Sequence, residues 1–458
     1  MIKLSRRAWL GTTTLAVGKS LTGFAPAVAE TIGSGTNRAS SLRITGIRAY
    51  EILLPYDEFH AATLFRYHGL NIQLRTVYIV DTNVGIVGYG ENWGPSLPAK
   101  TFQSYIDTNP FDWIADSRNL AINMAMYDIM GKFLDLPAWR LLGPQVRDRI
   151  PVCAWTVSQR PSDMAKEVQH AAKQGYRWLK YHTDEVQNVV DQTSAMQAVA
   201  PQGFQVHYDF NANATYEAIL PVLEALGQYP VAGRFEDPLV ATDPAGWQRL
   251  HEQISLPIYV HHGPIEFLVD GIVDGLMAGH APIGSAIQTA AVAKTKNIPF
   301  MLQQCGGTIN QAFLAHEASV FEMATLDHCN LAMHWTDDIT SQRMPIRDGH
   351  VSVPEGPGLG VSIDREKLEH YANRPRPSQE PFLVRIRYQD GPTIYCRHNP
   401  EISGATDNMR YLARLLGTPT PGPKPAYNNQ VVTDFWDDRD ATEFQQLWNA
   451  TKSGPVVQ

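Results

Sequence analysis

Short apolar runs alternate with helical-looking segments through the middle of the chain, and four successive runs end in titratable side chains. The runs are YRWLKYH at 176–182, FQVHYDFN at 204–211, GRFEDP at 233–238 and LPIYVHHG at 256–263. The segments between them are long enough for the crossover helices that parallel strands require. This alternation predicts an α/β fold built on a (β/α)8 barrel of the TIM type.

In such a barrel, catalytic side chains lie where the strands end and the following loops begin. Four residues occupy these strand ends: Lys180, Asp209, Glu236 and His262. Because strand residues two apart share a face, Lys180 lies beside His182, and His207 lies beside Asp209. A single such residue is more often a surface charge or a buried structural histidine. The repetition on four consecutive strands favours a functional site.

Length and charge limit what the chain can be. With 458 residues, 44% of them hydrophobic, it is long enough for two domains and further segments. The net charge of -8 and isoelectric point near 6.0 argue against nucleic acid or an anionic membrane as the main partner. The four cysteines form no CxxC pair, so isolated thiols are expected rather than a zinc or redox centre of that type.

The N-terminus has the layout of a twin-arginine export signal. Arg6 and Arg7 precede a weakly apolar run at 10–25 and a small-residue cleavage site at 27–29. We therefore assign 1–29 to a signal peptide and expect a periplasmic or secreted protein. No later apolar run reaches the roughly 18 residues that a membrane span needs.

The rest of the chain divides into three parts. Alternating strands, a hairpin and a core helix predict an α+β domain over 42–150, which precedes the barrel at 151–372. The segment 373–458 is a C-terminal extension with a predicted β-hairpin. Within the first domain, 55–74 has no clear period, and we expect it to be a lid or binding loop.

Several phrases of the sequence resemble one protein family. They are RITGIRAY at 43–50, GIVGYGE at 85–91, GKFLDLPAWRLLG at 131–143, and PGLG at 357–360 followed by Asp364. Over about 42–371 the chain resembles the enolase superfamily, in its mandelate racemase and muconate lactonising enzyme branch. The resemblance implies a capping domain, with lids at 55–74 and 91–98, over a modified barrel. It also implies proton abstraction next to a carboxylate, with the enediolate stabilised by one divalent metal, usually magnesium.

The resemblance assigns roles to four residues. Asp209 matches the first metal-binding carboxylate, and Asn211 is its usual companion in the Asp-x-Asn pattern. Glu236 matches the second metal-binding carboxylate. Lys180 matches the first lysine of a Lys-x-Lys strand, which polarises the substrate carboxylate.

Other positions depart from the family pattern. The third metal carboxylate is replaced by His261 and His262, with His262 in the better register, and the second lysine is replaced by His182. Further departures fall on the later strands: Gly279 or His280 at the aspartate of an Asp–His dyad, Gln303 at its histidine, and His334 or Trp335 at the last glutamate.

Three interpretations of these departures compete. In the first, Asp209, Glu236 and His262 bind the metal, and an imidazole ligand favours manganese, iron or zinc more than carboxylates alone would. His182 is then the base and Lys180 its electrophilic neighbour. In the second, the barrel is catalytically silent and binds a carbohydrate-like ligand. In the third, the chain is an enzyme whose histidines carry out catalysis without enediolate chemistry, for example lytic cleavage or hydrolysis.

We adopt the first interpretation as the prediction: an exported lyase or dehydratase acting on a hydroxy acid or acid sugar. β-Elimination is preferred to racemisation or cycloisomerisation because the dyad that would supply a second base is missing. His334 or His280 is the candidate acid for the leaving hydroxyl. The remaining candidate substrate contacts are Asn211, His207, His261, His280, Gln303, Arg66 and Tyr67. The expected partners are a small-molecule acid or sugar and further copies of the chain, as a homo-oligomer.

Overall fold

The structure is a computed structural model, and the predicted signal peptide at 1–29 lies outside the residues it describes. Those residues are 39–68, 72–183, 187–212, 214–375, 380–389, 391–397 and 431–458. The chain divides into two units, 1–42 and 43–458. Of the first unit, residues 39–42 are described and begin with a short helical turn. All elements named below belong to the second unit.

The N-terminal domain is an antiparallel sheet with helices. Strands β1 (Ile44–Pro55), β2 (Ile72–Thr82) and β3 (Val87–Trp93) pair in that order. Its helices are α1 (Glu58–His68), α2 (Lys100–Gln103) and α3 (Leu120–Leu134), with short 3-10 turns at Pro110–Trp113 and Ala138–Leu141. Helix α3 packs so closely on β3 that a Cβ at Gly90 would lie 1.8 Å from the carbonyl oxygen of Ala121. Glycine is required there by this close approach.

The barrel consists of eight parallel strands, and pairing of the last with the first closes it. They are β4 (Arg149–Val157), β5 (Trp178–His182), β6 (Gln205–Asp209), β7 (Ala232–Glu236), β8 (Ile258–Val260), β9 (Gly275–Gly279), β10 (Phe300–Gln304) and β11 (His328–Asn330). The predicted (β/α)8 barrel with an N-terminal α+β cap is therefore confirmed.

Helices connect the successive strands of the barrel. They are α4 (Pro161–Lys173), α5 (Val189–Val199), α6 (Tyr216–Leu226), α7 (Pro244–Gln253), α8 (Glu266–Asp270), α9 (Ile283–Lys296) and α10 (Thr308–Val320). A short 3-10 turn at Ala332–His334 follows β11. Strand β12 (His350–Ser352) then pairs antiparallel with the start of β4.

The barrel interior is apolar at one level and charged at the next. Cys153, Met277, Met301 and Cys329 form a buried cluster, and Trp178 packs against it. Side chains alternate along each strand, so Lys180 and Gln303, two residues beyond Trp178 and Met301, also face inward and lie nearer the strand ends. The apolar layer thus forms the floor beneath the polar groups of the barrel mouth, which is the carboxyl-terminal end of the strands.

Beyond the barrel, α11 (Arg365–Ala372) is followed by β13 (Leu383–Tyr388), β14 (Thr393–Arg397), β15 (Val431–Trp436), α12 (Thr442–Ala450), a 3-10 turn at Thr451–Ser453 and β16 (Val456–Val457). The four strands form a sheet in the order β15-β13-β14-β16. The predicted hairpin is the antiparallel pair β13–β14. None of the four cysteines forms a disulfide, as expected.

The expectation of a loop at 55–74 is wrong, because α1 and the ends of β1 and β2 lie in this segment. Its role as a lid or binding segment stays a prediction. The Asp57 carboxylate accepts a hydrogen bond from the backbone N–H of His60, which stabilises the first turn of α1. His60 and Leu64, one turn apart, are both fully buried. A histidine at the buried position weakened the apolar pattern that would have predicted a helix.

No helix among the described residues is long and apolar enough to cross a membrane.

Candidate active site at the barrel mouth

Strands β5, β6 and β7 bring a lysine and two carboxylates together. The register pairs His182 with Asp209 across β5 and β6, and Asp209 with Glu236 across β6 and β7. The Lys180 Nζ atom lies 2.6 Å from Asp209 Oδ2 and 3.1 Å from Glu236 Oε2. All three side chains are buried. The three residues identified from strand ends and family resemblance therefore meet in one place.

The charges in this group stabilise one another. Burial works to lower the pKa of Lys180, but Asp209 and Glu236 outweigh it and raise that pKa above its usual range. Burial alone would raise the pKa of the Asp209 carboxyl, but the charges and hydrogen bonds of Lys180 and His182 hold that pKa well below its usual value. The lysine is therefore an ammonium ion and Asp209 a carboxylate at neutral pH. In this state Lys180 supplies positive charge and has no lone pair with which to accept a proton.

His182 has the arrangement of a general base. Its Nε2 lies 3.0 Å from Asp209 Oδ2, and its ring meets the Trp155 ring edge-on at 5.1 Å. A carboxylate accepts hydrogen bonds, so a neutral His182 carries its proton on Nε2 and its lone pair on Nδ1. Asp209 thus fixes the tautomer and would stabilise the imidazolium formed when Nδ1 takes a proton.

His207 lies deeper, behind Glu236. Arg234 Nε donates to His207 Nδ1 at 3.0 Å, so the ring proton is on Nε2, which lies 2.7 Å from Glu236 Oε2. Burial lowers the pKa of His207 to about 4, so the ring is neutral. The side chain is fully buried, and its contacts orient the Glu236 carboxylate. We predicted it as a substrate contact, and its place in the structure is that of a support for Glu236.

The two histidines after β8 reach different carboxylates. His261 Nδ1 lies 3.3 Å from Glu236 Oε1, whereas His262 Nδ1 lies 2.5 Å from Asp237 Oδ2. Asp237 also accepts a hydrogen bond from the His261 backbone N–H at 2.7 Å. We predicted that His262 would join Asp209 and Glu236 in a metal site. In the structure His262 instead pairs with Asp237.

Asp237 is the residue that sequence reasoning missed. Its backbone has φ +47, a left-handed conformation that is unusual for a residue other than glycine. Consecutive strand residues normally point to opposite faces, but this turn brings the carboxylates of Glu236 and Asp237 together. One oxygen each of Asp209, Glu236 and Asp237 lie within 4.8 Å of one another. We call these three residues the carboxylate cluster. The adjacent acids in the phrase Glu-Asp-Pro were the available signal.

The carboxylate cluster fits a divalent cation. Three carboxylates carry more negative charge than the ammonium of Lys180 offsets, and hard cations such as magnesium prefer oxygen ligands. Burial raises the pKa of Asp237, and the nearby charges of Glu236 and Asp209 raise it further. A second potential donor set, Asp237 with His261 and His262, shares the same aspartate. A bound cation would relieve the repulsion within the cluster.

Other predicted residues lie around this centre. The Asn211 backbone N–H donates to Asp209 Oδ1 at 2.9 Å and so holds that carboxylate from its outer side. The His280 backbone N–H donates to the Gln303 carbonyl, and His280 Nε2 lies 3.7 Å from Cys305 Sγ. Burial lowers the pKa of His280 to about 4. Gln303 is buried, and its Oε1 has no hydrogen-bond partner among the described residues, so it is an available acceptor.

His334, the predicted acid, lies elsewhere. Its Nε2 is 2.7 Å from the Trp155 carbonyl oxygen, and its ring packs edge-on against His60 at 4.4 Å. Burial lowers the pKa of His334 to about 3. These contacts are with Trp155 on β4 and with α1, and the Trp155 ring in turn meets both His334 and His182 edge-on, so His334 has no direct contact with the carboxylate cluster among the described residues. The side chains of Arg66 and Tyr67 lie outside the described part of the structure.

Comparisons with known proteins show which proteins the chain is similar to. The sequence profile of the family "Enolase C-terminal domain-like" matches residues 163–367. The chain is 26% identical over 297 residues to D-galactonate dehydratase of Variovorax paradoxus (strain S110), covering 59% of this chain and 76% of that protein. It is 25% identical over 281 residues to chloromuconate cycloisomerase of Pseudomonas putida, covering 56% of this chain and 72% of that protein.

Solved structures show the same fold. N-succinyl Arg/Lys racemase from Bacillus cereus matches with a TM-score of 0.63 at 20% identity, covering 72% of this chain and 98% of the racemase. The relatives are a dehydratase, a cycloisomerase and a racemase, so they agree on the fold and differ in the reaction. Together with the closed barrel and its cap, these matches show that the chain is similar, in sequence over residues 163–367 and in fold, to proteins of the enolase superfamily.

Proposed function

We propose that the chain is a metal-dependent dehydratase, a carbon–oxygen lyase that removes water from a hydroxy acid or acid sugar. The observation that supports this most is the contact of His182 with Asp209 beside the ammonium of Lys180. In the proposal, His182 is a base with a defined tautomer beside a fixed positive charge, as proton abstraction next to a carboxylate requires. The dehydratase relative supports the same reaction class.

The metal would be held by Asp209 and Glu236, with Asp237 as the third ligand. When bound, a divalent cation supplies Lewis-acid stabilisation of the negative charge that develops on the substrate carboxylate. His207 and His261 hold the two oxygens of Glu236, so that carboxylate is oriented before any ligand arrives. Magnesium is the expected ion by family. The adjacent His261 and His262 keep manganese, iron and zinc as alternatives.

The protein's own groups then move the proton. His182 accepts the α-proton at Nδ1, and Asp209, which is bonded to Nε2, stabilises the resulting imidazolium. Lys180 keeps Asp209 and Glu236 ionised through this change and adds positive charge beneath the substrate. The edge of Trp155 limits rotation of the His182 ring. His182 removes the α-proton and, as the imidazolium, returns that proton to the hydroxyl group leaving the next carbon, so that one water is released and the base is neutral again.

Metal content is the first test. Elemental mass spectrometry of the purified chain and calorimetric titration with magnesium, manganese and zinc should give one equivalent of a divalent ion. Asp209→Ala and Asp237→Asn should each weaken binding by about tenfold or more, whereas His262→Ala should weaken it less. Asp274→Asn is the matched control, because Asp274 also pairs with a histidine, His251, but lies outside the mouth. Failure of all three metals to bind would contradict the enediolate mechanism.

The reaction itself is tested by incubating the protein with a panel of sugar acids and detecting the keto acids that dehydration produces. His182→Gln should abolish turnover while leaving metal binding within about twofold, since it removes the base and retains the hydrogen bond to Asp209. Exchange of the α-proton with deuterated water without loss of water would instead favour a racemase. Metal binding with neither exchange nor elimination across the panel would favour a silent binding protein.

Export is a separate proposal. The pair Arg6 and Arg7 is the element of the signal whose replacement should matter most. Arg6→Lys with Arg7→Lys should retain the full-length protein in the cytoplasm of a host with twin-arginine export, while the unchanged chain should be recovered from the periplasm. Equal distribution of the two proteins after fractionation would contradict this assignment.

A further inference from the structure

A cavity of about 840 Å³ lies at the N-terminal end of the first barrel strand. Its walls are the first residue of β4, the loop 341–347, strand β12 and the turn at 360–362. It shares no lining residue with the carboxylate cluster or with the histidines of the mouth. We call it the arginine cavity.

The lining is positively charged. Arg149, Arg343 and Arg347 line the cavity together with His350, and no aspartate or glutamate is among its lining residues. The whole chain carries a net charge of -8, so this concentration of positive charge runs against the overall balance. Like charges around one cavity repel each other, and an anion placed among them would relieve that repulsion.

Two of the three guanidinium groups, those of Arg149 and Arg343, are hydrogen-bonded to backbone carbonyls, which leaves their charge in place. Arg149 Nη2 donates to the Arg347 carbonyl at 3.1 Å, and Arg343 Nη2 donates to the Trp335 carbonyl. Among the described residues, none of the three cavity arginines forms an ion pair. A neighbouring arginine outside the cavity, Arg177, does pair with an acid, Asp348.

Nearby acids do not cancel this charge. Asp348, between Arg347 and Gly349, is engaged by Arg177. Asp327 lies near His350, but its carboxylate pairs with Arg234 at 3.4 Å. Asp148 and Glu355 flank lining residues in the sequence, and neither forms an ion pair with a cavity arginine.

The loop that carries two of the arginines is fixed at both ends. An isolated β-bridge joins Thr340 to Ile363 at one end, and Arg347 pairs with His350 at the other. Between Arg347 and His350, Asp348 and Gly349 have φ +57 and +72, as in the two-residue turns that suit a hairpin. A loop tied in this way loses little conformational freedom when a ligand binds.

We propose that the arginine cavity binds a small anion with two or more charged groups, either phosphates or carboxylates. The arginines supply forked donors that match both kinds of oxyanion. Ser341, Ser352 and Ser362, which also line the cavity, add hydroxyl donors. A singly charged anion would satisfy one guanidinium and leave the others unpaired, so multivalent anions should be selected.

Calorimetric titration of the full chain in metal-free buffer tests this proposal. The probes are pyrophosphate, tricarballylate and acetate. Tricarballylate carries three carboxylates and no hydroxyl, so it does not resemble a hydroxy-acid substrate. Pyrophosphate, tricarballylate or both should bind with a dissociation constant below about 1 mM, which corresponds to roughly -4 kcal/mol, and acetate should bind far more weakly. Binding of pyrophosphate alone assigns the site to phosphates, and binding of both assigns it to polyanions generally.

Location is tested with the double variant Arg343→Gln, Arg347→Gln, which should weaken binding by about tenfold or more. The matched control is Arg365→Gln, because Arg365 is exposed and lies outside the cavity. Circular dichroism would verify that each variant is folded. The proposal is overturned if neither polyanion binds more tightly than acetate, or if the double variant binds as the control does. Neither result bears on metal binding at the mouth.

Discussion

At the scale of single residues, a glycine determines where His261 can lie. A Cβ at Gly279 would lie 1.9 Å from His261 Nε2, and the backbone of Gly279 is not in a conformation reserved for glycine. The space above β9 is thus occupied by a ring from β8, which holds Glu236. The imidazole of His261 fills the space that a side chain at position 279 would occupy.

Gly279→Ala should therefore destabilise the protein by about 1 to 3 kcal/mol, because the added methyl group must displace the imidazole. In a His261→Ala background the same change should cost close to nothing. Urea denaturation of the four proteins gives the coupling free energy. Gly227→Ala is the control, since its added Cβ would make ordinary contacts at 3.4 Å or more. Equal costs in both backgrounds would show that the two residues do not compete for space.

A second residue, Glu317 on α10, is buried, and no cation in the described part of the chain pairs with it. Burial raises the pKa of Glu317 to about 8, and the side-chain amide of Gln304 donates a hydrogen bond to its carboxyl group. Between pH 4.5 and 8 the unfolded chain loses this proton while the folded chain keeps it. Stability should therefore fall as the pH rises through that window.

Glu317→Gln removes the titrating group and should raise the melting temperature at pH 7.5, with little change at pH 4. Differential scanning calorimetry across the window measures this. The control is Glu322→Gln, since Glu322 is half exposed and pairs with Lys294, where the expected effect is small. A melting temperature that falls at pH 7.5 would show that the carboxylate is needed in its ionised form.

Residue identity in the mouth could be predicted only in part. Lys180, Asp209 and Glu236 were found because each lies at or near the carboxyl end of a barrel strand, where functional side chains converge, and because each matches the family pattern. His262 was expected among them, but a left-handed backbone at Asp237 puts that aspartate beside Glu236 and ties His262 to it. Sequence alternation assumes extended backbone, so it cannot foresee a reversal at one residue.

At the scale of elements, helix α1 is joined to the barrel by a buried histidine. His60 Nδ1 lies 2.9 Å from Asp57, and its Nε2 lies 3.5 Å from Glu167 on α4. Burial works to lower the pKa of His60, but these two carboxylates outweigh it and raise the pKa to about 9. His170 and His334 also face the ring. The helix is therefore held by a charged imidazolium between two acids.

This interaction should be sensitive to pH. A histidine whose pKa is raised on folding stabilises the fold fully below pH 6.5, and that stabilisation is lost as the pH rises through 9. The free energy of unfolding from urea titrations should fall over this range, and His60→Gln should lower it at pH 6 and flatten the dependence. His370→Gln, on exposed α11, is the control. A His60→Gln protein with the unchanged slope would assign the pH dependence to another group.

Elements were predictable where patterns were strong. The barrel strands, the β2–β3 hairpin, the α3 helix and the β13–β14 hairpin all follow from apolar periodicity and turn residues. Helix α1 was missed because its buried face includes His60. The burial of this histidine depends on the carboxylate of Asp57, just before the helix, and on that of Glu167 on the distant helix α4. Local patterns carry no information about partners more than 100 residues away, such as Glu167.

At the scale of the whole molecule, the cap and the barrel share a buried ion cluster. Arg75 on β2 donates to Glu91 on β3 at 3.1 Å and to Asp338, beyond the barrel strands, at 3.0 Å. The two carboxylates also accept hydrogen bonds from the first turn of α10, Glu91 from the Asn310 N–H and Asp338 from the Thr308 N–H. The positive end of a barrel helix and a cap arginine thus hold the same pair of acids.

Replacing Arg75 tests how much its charge contributes to the stability of this cluster. Arg75→Met leaves two buried carboxylates without their cation and should cost about 3 to 5 kcal/mol of unfolding free energy. Arg48→Met is the matched control on the same sheet, because the Arg48–Asp81 pair is partly exposed and should contribute at most about 1 kcal/mol.

The number of unfolding transitions of Arg75→Met tests whether the buried ion cluster couples the cap to the barrel. If the cluster couples the cap to the barrel, urea denaturation of Arg75→Met should show the cap unfolding before the barrel, as two transitions where the unchanged protein has one. Adding Glu91→Gln and Asp338→Asn should restore part of the lost stability, since the buried charges are then removed as well. A single transition, with a cost no larger than that of Arg48→Met, would mean that apolar packing alone joins the two domains.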